Sequence, residues 1–207
     1  MTAPAARPPS RRRLRRGDGG LLREEVLDAV DRLLTSGASE ATLSMRAVAA
    51  EAGVSPTAIY LHFADKGELL LAVCQRHFAD LEVAMREEAA GAGDPLAVLQ
   101  ACGRAYVHFG LDHPEPYRIM FVSPPHSTPA SVDNLTELLA FSYVLEVVEG
   151  AIAAGAIAAD EPLTVAMLLW TSVHGIVSLR LSEPTFPWPP LEAQVEHMLE
   201  VVGRGLR

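Results

Sequence analysis

Thr42-Leu-Ser-Met-Arg-Ala-Val-Ala-Ala-Glu-Ala-Gly-Val-Ser-Pro-Thr-Ala-Ile-Tyr-Leu-His-Phe-Ala-Asp-Lys66 reads as two short helices folded about a glycine. Ser44 stands where an N-cap hydroxyl accepts from the free amides of a first turn. Val48, Ala49 and Ala52 then recur at helical spacing and make one face. Gly53 follows the last periodic residue, where a left-handed backbone costs least without a Cβ. Ser55 caps a second helix, and Pro56 fills its first position, where the missing N–H and fixed φ do no harm. Val54, Ile59 and Phe63 point to one side, the expected buried one. Thr57, Ala58, Tyr60, Leu61 and His62 are left on the other. Small residues followed by hydroxyl and imidazole groups suit entry into a major groove about 12 Å wide. The stretch is a helix-turn-helix.

Working outward, Val26, Leu27, Val30, Leu33 and Leu34 form the apolar stripe of a helix over about 21–36 that closes a three-helix unit. A long helix over about 66–90 leads away from it, and Gly91-Ala-Gly-Asp-Pro95 breaks that helix. Further helices are expected at about 95–112, 114–121, 132–158, 161–182 and 190–206, with a Pro/Ser/His loop at 122–131. No alternating pattern indicates a strand, so the fold class is all-α. The 207 residues allow one small and one medium domain.

The net charge of −9 conceals an asymmetry. Through Lys66 the chain has ten basic and eight acidic residues; beyond it there are seven basic and eighteen acidic. Phosphate affinity depends on local charge, so the first part suits a polyanion and the second should face away from it. Arg7, Arg11, Arg12, Arg13, Arg15 and Arg16 lie among Pro, Ala and Ser, a composition that cannot bury apolar surface. Such an arm either follows DNA, as basic N-terminal arms do, or merely solubilises the chain.

No stretch reads as a signal peptide and no apolar run of about 18 residues is evident, so a cytoplasmic chain is expected. The two cysteines, Cys74 and Cys102, sit in apolar helical context without metal or redox spacing and read as small buried hydrophobes. The seven histidines include no His-Glu-x-x-His; Gly-x-Ser-x-Gly and a phosphate-cradling Gly-Lys-Ser/Thr loop are absent too. His108 and His113 would not share a helix face. The reading is of a non-enzyme with no cofactor and no metal.

Gly53-Val-Ser, Ile59-Tyr-Leu-His-Phe and Lys66-Gly-Glu-Leu-Leu together resemble the DNA-binding domain of the TetR family of bacterial transcriptional regulators, over about Leu21 to Phe78. The resemblance implies phosphate contacts from Ser44, Tyr60, His62 and Lys66, which set register, with Ser55 also at the interface. It implies base-edge contacts from Arg46, Pro56, Thr57, Ala58 and Leu61, with Arg46 suited to a guanine. Met45 stands where relatives often carry a hydroxyl. Arg11, Arg12, Arg13, Arg15 and Arg16 would form a DNA-binding arm. His113-Pro-Glu-Pro-Tyr-Arg-Ile-Met-Phe121 and Leu169-Trp-Thr-Ser-Val-His-Gly-Ile-Val-Ser-Leu179 resemble a C-terminal TetR domain with a Trp…His-Gly signature, which binds an effector and builds a dimer.

Composition gives a disordered arm over 1–17, and the resemblance implies a helix-turn-helix domain over 18–66 linked through helix 67–90 and an effector-binding and dimerisation domain over 91–207. It implies a homodimer through the helices near 161–182 and 190–206, reading a palindromic operator with recognition helices about 34–36 Å apart. Leu191, Val195, Met198, Leu199 and Val202 give the last helix an apolar face for that dimer, or for an intrachain cap. Leu163, Met167, Trp170, His174, Val177 and Leu181 share a stripe on the helix before it, where Gly175 is expected to permit close helix approach. Candidates to contact a hydrophobic or aromatic effector are Tyr106, Phe109, Tyr117, Met120, Phe121, Tyr143, Trp170 and His174. Repression is the family's usual mode; an effector-dependent activator or corepressor-type regulator is the alternative, and a helical module that binds no DNA is the reading from another class.

Overall fold

The computed structural model describes residues 19–121, 139–158 and 161–206, so the arginine arm, the loop at 122–131 and the expected helix start at 132–138 lie outside the described residues. Among the described residues all regular structure is helical. The elements are α1 (Gly19–Thr35), α2 (Met45–Ala52), α3 (Pro56–Tyr60), α4 (Lys66–Ala89), α5 (Pro95–Asp112), α6 (Pro114–Phe121), α7 (Leu139–Ala153), α8 (Pro162–Ser182) and α9 (Leu191–Gly205).

Capping explains several of the boundaries. The Ser44 hydroxyl accepts from the Ala47 amide at 3.2 Å and the Ser55 hydroxyl from the Ala58 amide at 3.2 Å. Gly53 takes φ 73°, and the Val54 amide donates back to the Ala49 carbonyl at 2.9 Å, which ends α2. Asp65 caps α4 by accepting from the Glu68 amide at 2.9 Å, while Glu68 reaches back to accept from the Ala64 amide at 2.6 Å. That reciprocal pair satisfies two orphan donors. α7 stops at Ala153, short of the expected 158, because Gly155 turns the chain at φ 70°.

Three apolar clusters result, one in the head and two in the body, the second body cluster around Leu99, Phe141, Val148 and Val165. In the head, Val26, Leu27, Val30 and Leu34 of α1 meet Val48 and Ala49 of α2, Ile59 of α3, Phe63, and Leu69, Leu70 and Val73 of α4. The body core is built from α4 through α9 around Leu81, Met85, Val107, Tyr117 and Val177. α4 runs through head and body. Arg76 and His77 on α4 hold α1 against it: Arg76 donates to Asp28 at 2.7 Å and also to Asp31, and His77 Nε2 lies 3.0 Å from Asp31.

Three expectations need correction. α8 holds an 18-residue window with mean hydropathy 1.5, so this helix is by length and composition apolar enough to cross a membrane, contrary to the sequence reading. In the fold its inner side joins the body, through Val173, Ile176 and Val177 in the core around Tyr117 and through Val165 and Ala166 in the cluster around Phe141 and Val148. Second, Gly175 does not mediate close approach within the chain, since a Cβ there would meet nothing within 4 Å. Gly103 and Gly110 on α5 do that work. A Cβ on Gly103 would lie 2.7 Å from Leu199 Cδ2, and one on Gly110 would lie 2.6 Å from Val177 Cγ1. Third, the apolar stripe of α9 is consumed inside the chain: Val195 and Leu199 are buried, with Leu191 and Met198 packed against the same core. The intrachain cap is the reading that holds for that stripe.

Candidate functional site

Two regions carry chemistry. The first is the outer face of the helix-turn-helix. α3 is pinned from beneath by Ile59 and Phe63, both buried, and their burial orients the rest. Ser44, Arg46, Ser55, Pro56 and Thr57 are exposed, with Ala58, His62 and Lys66 half-buried. Leu61 stands 80% exposed and Tyr60 52%, so the Tyr60 ring is not packed away on a neighbouring helix. Tyr60 and Leu61 thus stand open side by side on this face. Arg46 pairs with no described acidic residue, which leaves its guanidinium free. Lys66 differs: its ammonium donates to the Glu40 carbonyl and ties the start of α4 to the α1–α2 connection. The arm residues Arg11, Arg12, Arg13, Arg15 and Arg16 lie outside the described residues.

The second region is a cavity of about 50 Å³ inside the body. Phe78, Leu81 and Met85 of α4 form one wall and Leu99, Cys102, Gly103 and Tyr106 of α5 another. Phe121 closes the α6 side, Ala140, Phe141 and Val144 come from α7, Leu169, Trp170 and Val173 from α8, and Met198 and Leu199 from α9. Among the described residues no charged side chain lines it.

Of the residues expected at an effector, Tyr106, Phe121 and Trp170 line the cavity. Tyr117 and His174 stand beside it in a polar chain. The His174 Nδ1 lies 2.6 Å from the Tyr117 hydroxyl and 3.0 Å from the Tyr106 hydroxyl, and the Trp170 indole N–H donates to the Tyr106 oxygen at 3.2 Å. Burial holds the His174 imidazole below its ordinary range and pushes the Tyr106 and Tyr117 hydroxyls up, so all three are neutral near pH 7. Met120 is packed in the body core without lining the cavity. Phe109 lies against the His113 ring at 4.9 Å on an outer groove between α4 and α5. Tyr143 lies under the Arg86 guanidinium at 3.9 Å, outside the lining.

The sequence reading missed the α4 wall of Phe78, Leu81 and Met85. Their only signal was that α4 must carry an apolar stripe on both sides of its midpoint. Burial pushes the Cys102 thiol up to about 11 and the Cys74 thiol up to about 12, in keeping with inert buried cysteines.

A capped helix-turn-helix with an open polar face, carried on a helical body, defines a DNA-binding transcription regulator. Residues 27–73 match the model for bacterial regulatory proteins of the tetR family, and residues 99–202 that for the tetracyclin repressor-like C-terminal domain. The chain belongs to the TetR family.

Solved structures share the fold. A protein of unknown function from Rhodococcus sp. RHA1 is 28% identical, with TM-score 0.76 over 89% of this chain and 95% of that one. A TetR family transcription regulator from Marinobacter aquaeolei VT8 is 19% identical, with TM-score 0.67 over 89% and 95%. The fatty acid degradation regulator FadR from Bacillus halodurans is 15% identical, with TM-score 0.70 over 89% and 99%.

Proposed function

We propose that this regulator is a homodimeric repressor that binds a palindromic operator in the cytoplasm and is released by a small hydrophobic or aromatic effector held in the body cavity. The observation that carries the reading is the position of the cavity. Its walls include α4, whose first half is part of the head core, and Phe121 of α6, whose neighbour Ile119 is buried in that same head core. A ligand that changes these walls has differential affinity for head orientations, which is the requirement for any effector.

Dimerisation is supported by an uncharged outer stripe on α8. Thr164, Leu168, Thr171, Leu179 and Ser182 are exposed along it with Gly175 among them, and Val201 of α9 is 54% exposed. Such a stripe on an otherwise charged surface suits packing against its own copy in a four-helix arrangement. On DNA, Ser44, Ser55, Tyr60, His62 and Lys66 are the phosphate-side residues, with Lys66 exchanging its Glu40 bond for a phosphate. Arg46, Pro56, Thr57, Ala58 and Leu61 are the base-side set.

The test is a salt-dependent titration of the purified protein against the DNA upstream of its own gene, with Tyr60→Ala as control. Specific binding lost in the variant supports the reading; equal binding by both proteins would refute the assigned interface. The repressor assignment is checked by transcription from that DNA, which falls when the protein is added. A rise would identify an activator.

A further inference from the structure

Leu61 gives the recognition face a base preference of its own, given the reading of that face as the DNA interface. We propose that Leu61 reads the 5-methyl group of one thymine in each operator half-site.

The fold aims this side chain. Ile59 and Phe63 are both buried, and the Phe63 amide donates to the Ile59 carbonyl at 3.0 Å, which carries the helical turn past Leu61. Leu61 itself keeps helical backbone, at φ −77° and ψ −17°. Two positions after Ile59, its Cβ leaves the helix about 200° around from the buried side, in line with the exposed Thr57 one turn earlier. A single exposed leucine is ordinary on a protein surface. One aimed at base edges is not indifferent to the base.

The approach to DNA meets no free carboxylate near this helix. Between Glu40 and Asp65 the only acidic residue is Glu51, and its carboxylate accepts from Arg32 of α1 at 2.6 Å. Asp65 and Glu68 are engaged by backbone amides at the start of α4. Arg46 and Lys66 supply positive charge to the same unit, so its charge complements phosphates.

The chemistry of the groove then names what Leu61 meets. From Pro56 to Leu61 the only side-chain hydrogen-bonding groups are the hydroxyls of Thr57 and Tyr60. Leucine offers no partner to the ring nitrogens, carbonyls and amino groups of the base edges. Covering one of those groups removes its water and replaces it with nothing, which costs free energy. The thymine methyl is the one apolar group that the major groove displays. Against it, leucine removes water from two apolar surfaces at once, and the side chain discriminates by what it cannot bond as well as by what it covers.

Selection from random-sequence duplexes with the full-length protein supplies an operator, and copies with single thymines replaced by deoxyuridine supply the test, since uracil lacks only the methyl. Replacement at one position in each half-site should weaken wild-type binding by about 4-fold per half-site, the worth of one methyl-sized apolar group. Leu61→Ala should bind the thymine operator at least about 4-fold more weakly and should no longer respond to that replacement, while keeping the wild-type response at every other thymine. Its melting temperature should match that of the wild type, because the side chain is 80% exposed. A wild-type protein that ignores deoxyuridine at every thymine, or a set of responses that all persist in Leu61→Ala, would overturn the inference. A Leu61→Ala protein weakened equally on operator and random DNA would also overturn it, by placing the side chain against the sugar–phosphate backbone. Failure of the wild-type protein to enrich any sequence overturns instead the reading of this face as a DNA interface, and the role of Leu61 with it.

Discussion

Ile119 and Phe121 stand two residues apart on α6 and belong to different cores. Ile119 is buried among the side chains of the head, where its carbonyl accepts from the Cys74 thiol at 3.5 Å, while Phe121 lines the cavity of the body. A helix this short has no compliance of its own, so a shift at one residue moves the other.

Truncating the head-side member should separate binding from response. Ile119→Ala removes a buried side chain and should cost about 2–5 kcal/mol of stability. Ile119→Val should cost only about 0.5–1.5 kcal/mol and is the cleaner probe. In either variant ligand affinity in the absence of DNA should change little, while the ligand's effect on operator affinity shrinks. Paired titrations with and without ligand measure this; an undiminished effect in both variants would remove α6 from the coupling.

The glycines of α5 and α8 should respond in opposite senses. At Gly110 an added Cβ would meet Val177 at 2.6 Å and Tyr117 Cδ2 at 2.9 Å, both fully buried. Overpacking of about 1–3 kcal/mol outweighs the roughly 1 kcal/mol that alanine adds to helix propensity, so Gly110→Ala should melt several degrees lower. Gly175→Ala has open space within the chain. It should leave the monomer intact and weaken self-association, because the proposed dimer places that stripe against its twin. Sedimentation equilibrium distinguishes the two effects.

The contrast between these glycines shows where the sequence stops being informative. Ser44, Gly53, Ser55 and Pro56 each act on their own local backbone, which is why the helix-turn-helix and most helix ends are legible one residue at a time. The cavity is not local. Phe78, Leu81 and Met85 have the spacing of any core stripe, and whether such a stripe meets a neighbour or a void is set by the angles among six helices. Phe109 and Tyr143 show the converse, aromatic residues of the expected type packed against the body core but carried by helix phase away from the cavity lining. The α8 helix carries large apolar residues on every side, Leu168 and Leu179 outward as well as Val173 and Val177 inward, so its sequence alone could not divide an inward face from an outward one.

His174 should give the fold a pH dependence of known sign. Its folded value lies below the ordinary value of about 6.5 because burial disfavours the cation. The unfolded chain therefore binds more protons as pH falls below about 6.5, and stability is lost there down through the folded value; above about 6.5 this residue contributes no slope. Melting temperatures of wild type and His174→Asn, compared from pH 7.5 to 5, should converge as the pH falls, since groups common to both cancel. Parallel curves would show that the imidazole is not buried as described.

The proposed interface makes separable demands on affinity and on sequence choice. Arg46 is exposed on α2 without a described acidic partner, so its whole hydrogen-bonding capacity is available to a base edge. Arg46→Ala should cost about 1–3 kcal/mol on the preferred operator and relax the preference at one base pair. Tyr60→Phe removes only a hydroxyl from a half-exposed ring, and should weaken all sequences alike, since a phosphate contact carries no base information. Deleting residues 1–16 removes six arginines. If they neutralise phosphates, the slope of log K against log salt falls by about 0.9 for each phosphate no longer neutralised, with base preference retained. Titrating the three proteins on the preferred operator and on single-base variants, at several salt concentrations, reads all three quantities. A Tyr60→Phe protein that discriminates less than wild type would move Tyr60 to the base-reading set, and an unchanged salt slope in the deletion would place the arm off the DNA.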